Sequence, residues 1–144
     1  MKVNVDDKLV EACKDGDLSA VKRCLEQGAN IHARHDEALR SAANHSHLDI
    51  VKYLIEQGAY IHAGKDTALR NATHNGHLEM VKYLVEQGAD IHEWDDEALR
   101  WAAYYGYLQV ANVLRKAAGD KYKCHKCIIK STCLKLCKDF RNGH

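Results

Sequence analysis

Apolar residues recur along this chain in two alternating patterns. In the first, Leu39, Ala42 and Ala43 fall at helical spacing and give a short helix with one face of small residues. In the second, Leu48, Val51, Leu54 and Ile55 fall at i, i+3, i+6 and i+7, the mark of an amphipathic helix. A tight turn separates the two patterns. Gly76 permits it, with Gly16 and Gly106 in the same place and Ser46 standing in once. The second helix stops at Gln57-Gly58-Ala59, where glycine can take the left-handed conformation. The link Tyr60-Ile61-His62-Ala63-Gly64-Lys65 is too short for another helix and leads into the next copy of the pattern.

The patterns repeat every 30 residues, in units 6–35, 36–65, 66–95 and 96–119. Columns keep their character: Leu9, Leu39, Leu69 and Leu99 share one, and Ala12, Ala42, Ala72 and Ala102 another. One helix pair has too little core to fold alone, so each unit must bury its faces against its neighbours in a stack. The first unit reads as an end cap, with Lys8, Glu11 and Lys14 where later units carry Ala38, Ser41 and Asn44. Cys13 and Cys24 occupy the columns of Ala43 and Leu54 and read as small buried apolar residues.

The run from Gly76 to His92, GHLEMVKYLVEQGADIH, resembles the ankyrin repeat, and the resemblance extends over about residues 6–119. It implies an all-α solenoid of four helix-turn-helix units that binds proteins. Two departures stand out. The family's T-P-L-H becomes Thr67-Ala68-Leu69-Arg70, without the proline that starts the helix, and each unit is about three residues shorter than the usual length. The alignment places that deficit in the projecting hairpin, so short fingers are expected. Asp36 with Arg40, Asp66 with Arg70, and Asp96 with Arg100 lie at i, i+4, so a stacked Asp/Arg ladder is expected to replace the hydrogen bonds of the family's His. Proline-free units of 30 residues look particularly like ankyrin proteins of giant DNA viruses of amoebae.

The resemblance implies a concave binding surface made of hairpin tips and first helices. Its variable positions are Arg34 and His35, Gly64 and Lys65, and Trp94 and Asp95 at the tips. On the first helices they are Ser41, Asn44 and His45, then Asn71, His74 and Asn75, then Trp101, Tyr104 and Tyr105. Both tryptophans fall in or just before the fourth unit, where with Tyr104, Tyr105 and Tyr107 they form the kind of aromatic group that anchors interfaces. The same rings could instead seal the last repeat or lie beneath the tail. The histidine columns, His32, His62 and His92 and then His47 and His77, recur a full stacking distance apart, so structural hydrogen bonding is expected rather than metal ligation. His35, His45 and His74 are expected to face solvent.

Charge divides the chain. Residues 120–144 hold seven Lys or Arg against Asp120 and Asp139, a net +5, which leaves 14 basic against 18 acidic residues, a net −4, for the rest. An acidic stack with a basic tail is not the usual footprint of a nucleic-acid binder. The tail carries Cys124, Cys127, Cys133 and Cys137. All four read as thiolate zinc ligands, with His125 or His144 as substitutes, or else Cys133 and Cys137 read as part of a helical stripe with Ile129, Leu136 and Phe140 that caps the fourth unit. Disulfides or reactive thiols are a third reading.

No apolar run approaches the roughly 18 residues of a membrane span, and Met1 to Asp7 lack a secretory signal's apolar stretch. A cytoplasmic or nuclear setting is expected, in a host cell if the protein is viral. No catalytic constellation stands outside the repeated framework. The chain is therefore expected to be a monomeric, non-enzymatic protein-binding module without a cofactor. The alternatives are nucleic-acid binding through zinc or lysines of the tail, and a ubiquitin-ligase adaptor, although no F-box is recognisable in the last 25 residues.

Overall fold

The computed structural model describes residues 3–119; residues 120–144, with all four tail cysteines, lie outside the described part. Among the described residues there are eight helices and no strand. They are α1 (Val5–Asp15), α2 (Leu18–Glu26), α3 (Ala33–Asn44), α4 (Leu48–Glu56), α5 (Ala63–His74), α6 (Leu78–Glu86), α7 (Glu93–Tyr104) and α8 (Leu108–Ala118). First helices pack in series, α1 on α3 on α5 on α7, and each packs against the second helix of its own unit. The all-α solenoid of four helix-turn-helix units is thus the fold.

The core follows the columns. Leu9, Leu39, Leu69 and Leu99 are buried, as are Val21, Val51, Val81 and Ala111. Ala42, Ala72 and Ala102 are fully enclosed and let neighbouring first helices approach closely. Ile50, Met80 and Val110 form a further buried column that the i, i+3 reading of the second helix passed over. Cys13 and Cys24 are free and buried, as their columns require.

The links between units form left-handed turns. Arg34, His35 and Asp36 have φ of 51, 58 and 52°, and Gly64, Lys65 and Asp66 repeat the turn at 61, 58 and 54°. Only after Asp36 and Asp66 does the right-handed part of α3 and α5 begin. This geometry overturns the expected Asp/Arg ladder. A left-handed Asp projects away from the i+4 position, and the Asp36 carboxylate accepts the Tyr60 amide of the next link (2.9 Å) and the His32 Nδ1 proton (3.1 Å). Asp66 likewise takes the Asp90 amide and His62, each at 2.9 Å, while Asp6 takes the Asn30 amide at 2.7 Å. Arg40 instead donates to carbonyls of the left-handed turn, to His35 O at 3.1 Å and Arg34 O at 2.8 Å. Arg40 therefore helps to hold the turn that places Asp36.

The second histidine column also binds backbone. His47 Nε2 donates to Lys14 O (2.9 Å) and His77 Nε2 to Asn44 O (3.1 Å), each reaching into the preceding unit. The His47 ring lies over the turn at Gly16, where a Cβ would stand 2.6 Å from it, which is why glycine suits that turn. At Gly76, where φ is +70°, a Cβ would stand 2.9 Å from the Tyr107 ring, whereas at Gly58 (φ +98°) it would meet nothing within 4 Å. Gly58→Ala is expected to lose about 1 kcal/mol for the left-handed backbone alone. Gly76→Ala should lose about 1–2 kcal/mol more, because Tyr107 must move. Equal shifts in the urea midpoints of the two variants would show that the Tyr107 contact contributes nothing.

Candidate partner-binding surface

The variable positions of the first helices line one face of the stack, and the structure divides them into two groups. Around units two and three the polar side chains are largely engaged with the scaffold. Asn75 Nδ2 donates to Asn44 Oδ1 at 3.0 Å and also to Asn71 O at 3.0 Å. His45 Nδ1 bonds Ser41 O at 2.9 Å, and its ring stacks with His47 at a centroid separation of 6.3 Å. At the tips, Arg34 is exposed but spans Glu37 and Asp7, whose carboxylates, Glu37 foremost, raise its pKa. Lys65 and His35 are exposed, in the left-handed turns. His35, His45 and His74 all face solvent as expected.

The second group is aromatic and joins the third unit to the fourth. His74, from α5, sits 4.3 Å from the Trp101 ring and 5.2 Å from the Tyr105 ring, with its Nε2 3.2 Å from the Tyr105 hydroxyl. Tyr105 continues the patch to Trp101 at 5.8 Å, Tyr104 at 5.1 Å and Tyr107 at 5.8 Å. Five rings thus form one surface. Trp101 is half-buried and anchors it, while Tyr104 and Tyr105 are exposed. Trp94 is the second residue of α7, and its side chain lies outside what is described.

Beside these rings opens a cleft of about 230 Å³ between α5 and α7, lined by Arg70, Asn71, His74, Glu97, Ala98 and Trp101. Arg70 Nε and Glu97 Oε2 meet at 2.6 Å in its wall, both largely shielded from solvent. The i, i+4 spacing does not reveal this ion pair, because it points Arg70 to Asp66 instead. A partner for it is visible only when residues are compared across units, where Glu97 in the first turn of α7 lies beside Arg70 in α5. The cleft is therefore apolar on the Trp101 side and hydrogen-bonding on the Asn71 and His74 side.

Residues 61–126 match a family model described as ankyrin repeats in three copies, and residues 9–55 match one described as ankyrin repeats in many copies. The chain belongs to the ankyrin-repeat family. Ankyrin repeats are generally protein–protein interaction modules, and proteins built of them are typically non-enzymatic. No curated protein matches the chain. Among the described residues, no group of three or more His, Cys, Asp or Glu could hold a metal ion. Nor is any described helix long and apolar enough to cross a membrane. The zinc reading concerns Cys124, Cys127, Cys133 and Cys137, outside the described residues.

Proposed function

We propose that this ankyrin stack is a non-enzymatic module that binds a partner protein through its first-helix face, centred on His74, Trp101 and Tyr105. The observation that supports this reading is the continuous five-ring surface beside the α5–α7 cleft. A half-buried tryptophan flanked by exposed tyrosines supplies rigid contact area at low entropic cost, the composition of interface hot spots. Asn71 adds orientation from within the cleft, and Arg34, Ser41, Asn44, His45, Lys65 and Asn75 extend the face toward the first unit. The proline-free 30-residue unit, with its likeness to giant-virus ankyrin proteins, supports a setting in the cytoplasm or nucleus of a host cell.

The full chain, immobilised with nuclease present, is to be compared with Trp101→Ala/Tyr105→Ala for proteins retained from host-cell lysate. The double variant is expected to weaken the specific partner at least 30-fold, about 2 kcal/mol. Circular dichroism would establish that the variant is folded. Undiminished capture by a folded double variant, with loss on changing the tail lysines to Gln, would transfer the function to residues 120–144 and to the nucleic-acid or adaptor readings.

A further inference from the structure

Each unit in this stack leaves one position for the next unit to cover. The Lys14 carbonyl receives His47, Asn44 receives Asn75 and His77, and His74 receives Trp101 and Tyr105. Tyr104 holds the same place in the fourth unit, and its ring is 67% exposed. The opening extends along that end of the stack. The carboxylate-bearing side chain of Asp96 is 30% exposed, against 6% and 3% for Asp36 and Asp66. Leu108 is 44% exposed, whereas Leu18, Leu48 and Leu78 in its column are half-buried. Ala103 is half-buried where Cys13, Ala43 and Thr73 are fully enclosed. The opposite end differs in kind: α1 turns Lys8, Glu11 and Asp15 outward, with Lys14 paired to Glu11 at 3.0 Å. A repeat stack needs a polar outer face at both ends, and only one end supplies it.

We propose that residues 120–144 of this same chain cover the open end of α7 and α8, docking on Tyr104, Ala103 and Leu108. Three observations favour this occupant over a separate molecule. The segment follows Gly119 directly, one residue beyond the end of α8, so docking closes almost no loop. Its Ile129, Cys133, Leu136, Cys137 and Phe140 fall at i, i+4, i+7, i+8 and i+11, an apolar stripe of the kind each unit presents to its neighbour. Its net charge of +5 complements the −4 of the remainder. Docking covers Tyr104, the outermost of the five rings, so the partner surface proposed above is reduced to His74, Trp101 and Tyr105 with the cleft beside them.

Hydrogen exchange on the full chain provides the test, comparing it with Ile129→Asp/Phe140→Asp. The double variant is expected to exchange amides of α7 and α8 at least tenfold faster while α3 and α4 keep their rates. A second measurement does not depend on that variant. In the full chain carrying Leu108→Cys, a short bismaleimide is expected to join position 108 to Cys133 or Cys137 within one molecule. Equal α7 and α8 exchange in both proteins would overturn the proposal. So would cross-links found only between molecules, or protection that rises with protein concentration, since these assign the surface to a second copy.

Discussion

Asp66→Ala is expected to lower folding stability by about 2–4 kcal/mol, far more than an ordinary surface substitution. The side chain is nearly enclosed and performs two tasks at once. Its carboxylate accepts the Asp90 amide from the link of its own unit, at 2.9 Å, and receives His62 Nδ1 at 2.9 and 3.1 Å on its two oxygens. Alanine leaves both donors without that acceptor, and hydrogen bonds to a charged group contribute about 1.5–3 kcal/mol each. The backbone adds to the loss. Asp66 has φ of 54°, a left-handed conformation that Asp tolerates better than Ala. Asp66→Asn keeps an acceptor and the backbone preference, and should retain more than half of the stability that Ala loses.

Asp96 supplies the comparison. It bonds His92 Nδ1 at 2.7 Å with φ of 58°, yet it is more exposed, and among the described residues no later link donates an amide to it. Asp96→Ala should therefore cost about 1–2 kcal/mol, the backbone and histidine share alone. Urea denaturation followed by circular dichroism measures all three variants. Equal losses at positions 66 and 96 would show that the link-capping bond is not what these aspartates contribute.

The same aspartates mark where sequence reading succeeds and where it stops. A 30-residue period is visible without any structure, and it placed the buried Leu and Ala columns and the turn glycines correctly. It also assigned the histidines to hydrogen bonding, because a residue that recurs once per unit serves each unit in the same way. The partner of each aspartate was misread for a physical reason. Spacing of i, i+4 implies contact only if both residues already stand in a right-handed helix, and Asp36 and Asp66 stand one step before it. Nothing in the residue types of Arg34-His35-Asp36 announces three successive left-handed residues, since only the next unit copies the turn with a glycine, Gly64. Trp101 and the three tyrosines of the aromatic patch were legible from their clustering in the sequence, whereas His74 joins them only through the packing of α5 on α7. The α5–α7 cleft was not legible, because its Arg70–Glu97 wall joins residues 27 positions apart, a separation that matches neither a helix turn nor the repeat.

Cys13 should make the fold sensitive to alkali in a way that Cys13→Ala removes. Burial, reinforced by the nearby Cys24, pushes the Cys13 thiol up from 9.0 to about 12. Below pH 9 the thiol is protonated in folded and unfolded chains alike, and the group leaves stability unchanged. Between pH 9 and 12 the unfolded chain loses this proton while the folded chain retains it. Ionisation then favours unfolding by about 1.4 kcal/mol per pH unit, on the order of 3 kcal/mol at pH 11. Alanine suits the site, since Ala43 and Ala103 occupy the same column, and Cys13→Ala should differ from the parent by no more than about 1 kcal/mol at pH 7. The two proteins should then diverge as pH rises, with the variant the more stable at pH 11 by about 2–3 kcal/mol in urea titrations. Lysines and tyrosines titrate in both proteins and cancel in the comparison. Native-state alkylation reads the same effect as a rate: at pH 9, where a thiol of ordinary pKa is about half ionised, Cys13 should react roughly 500-fold more slowly, the ratio of thiolate present. Parallel stability curves from pH 7 to 11 would mean that the folded chain releases the proton as readily as the unfolded one, and that α1 does not enclose this thiol.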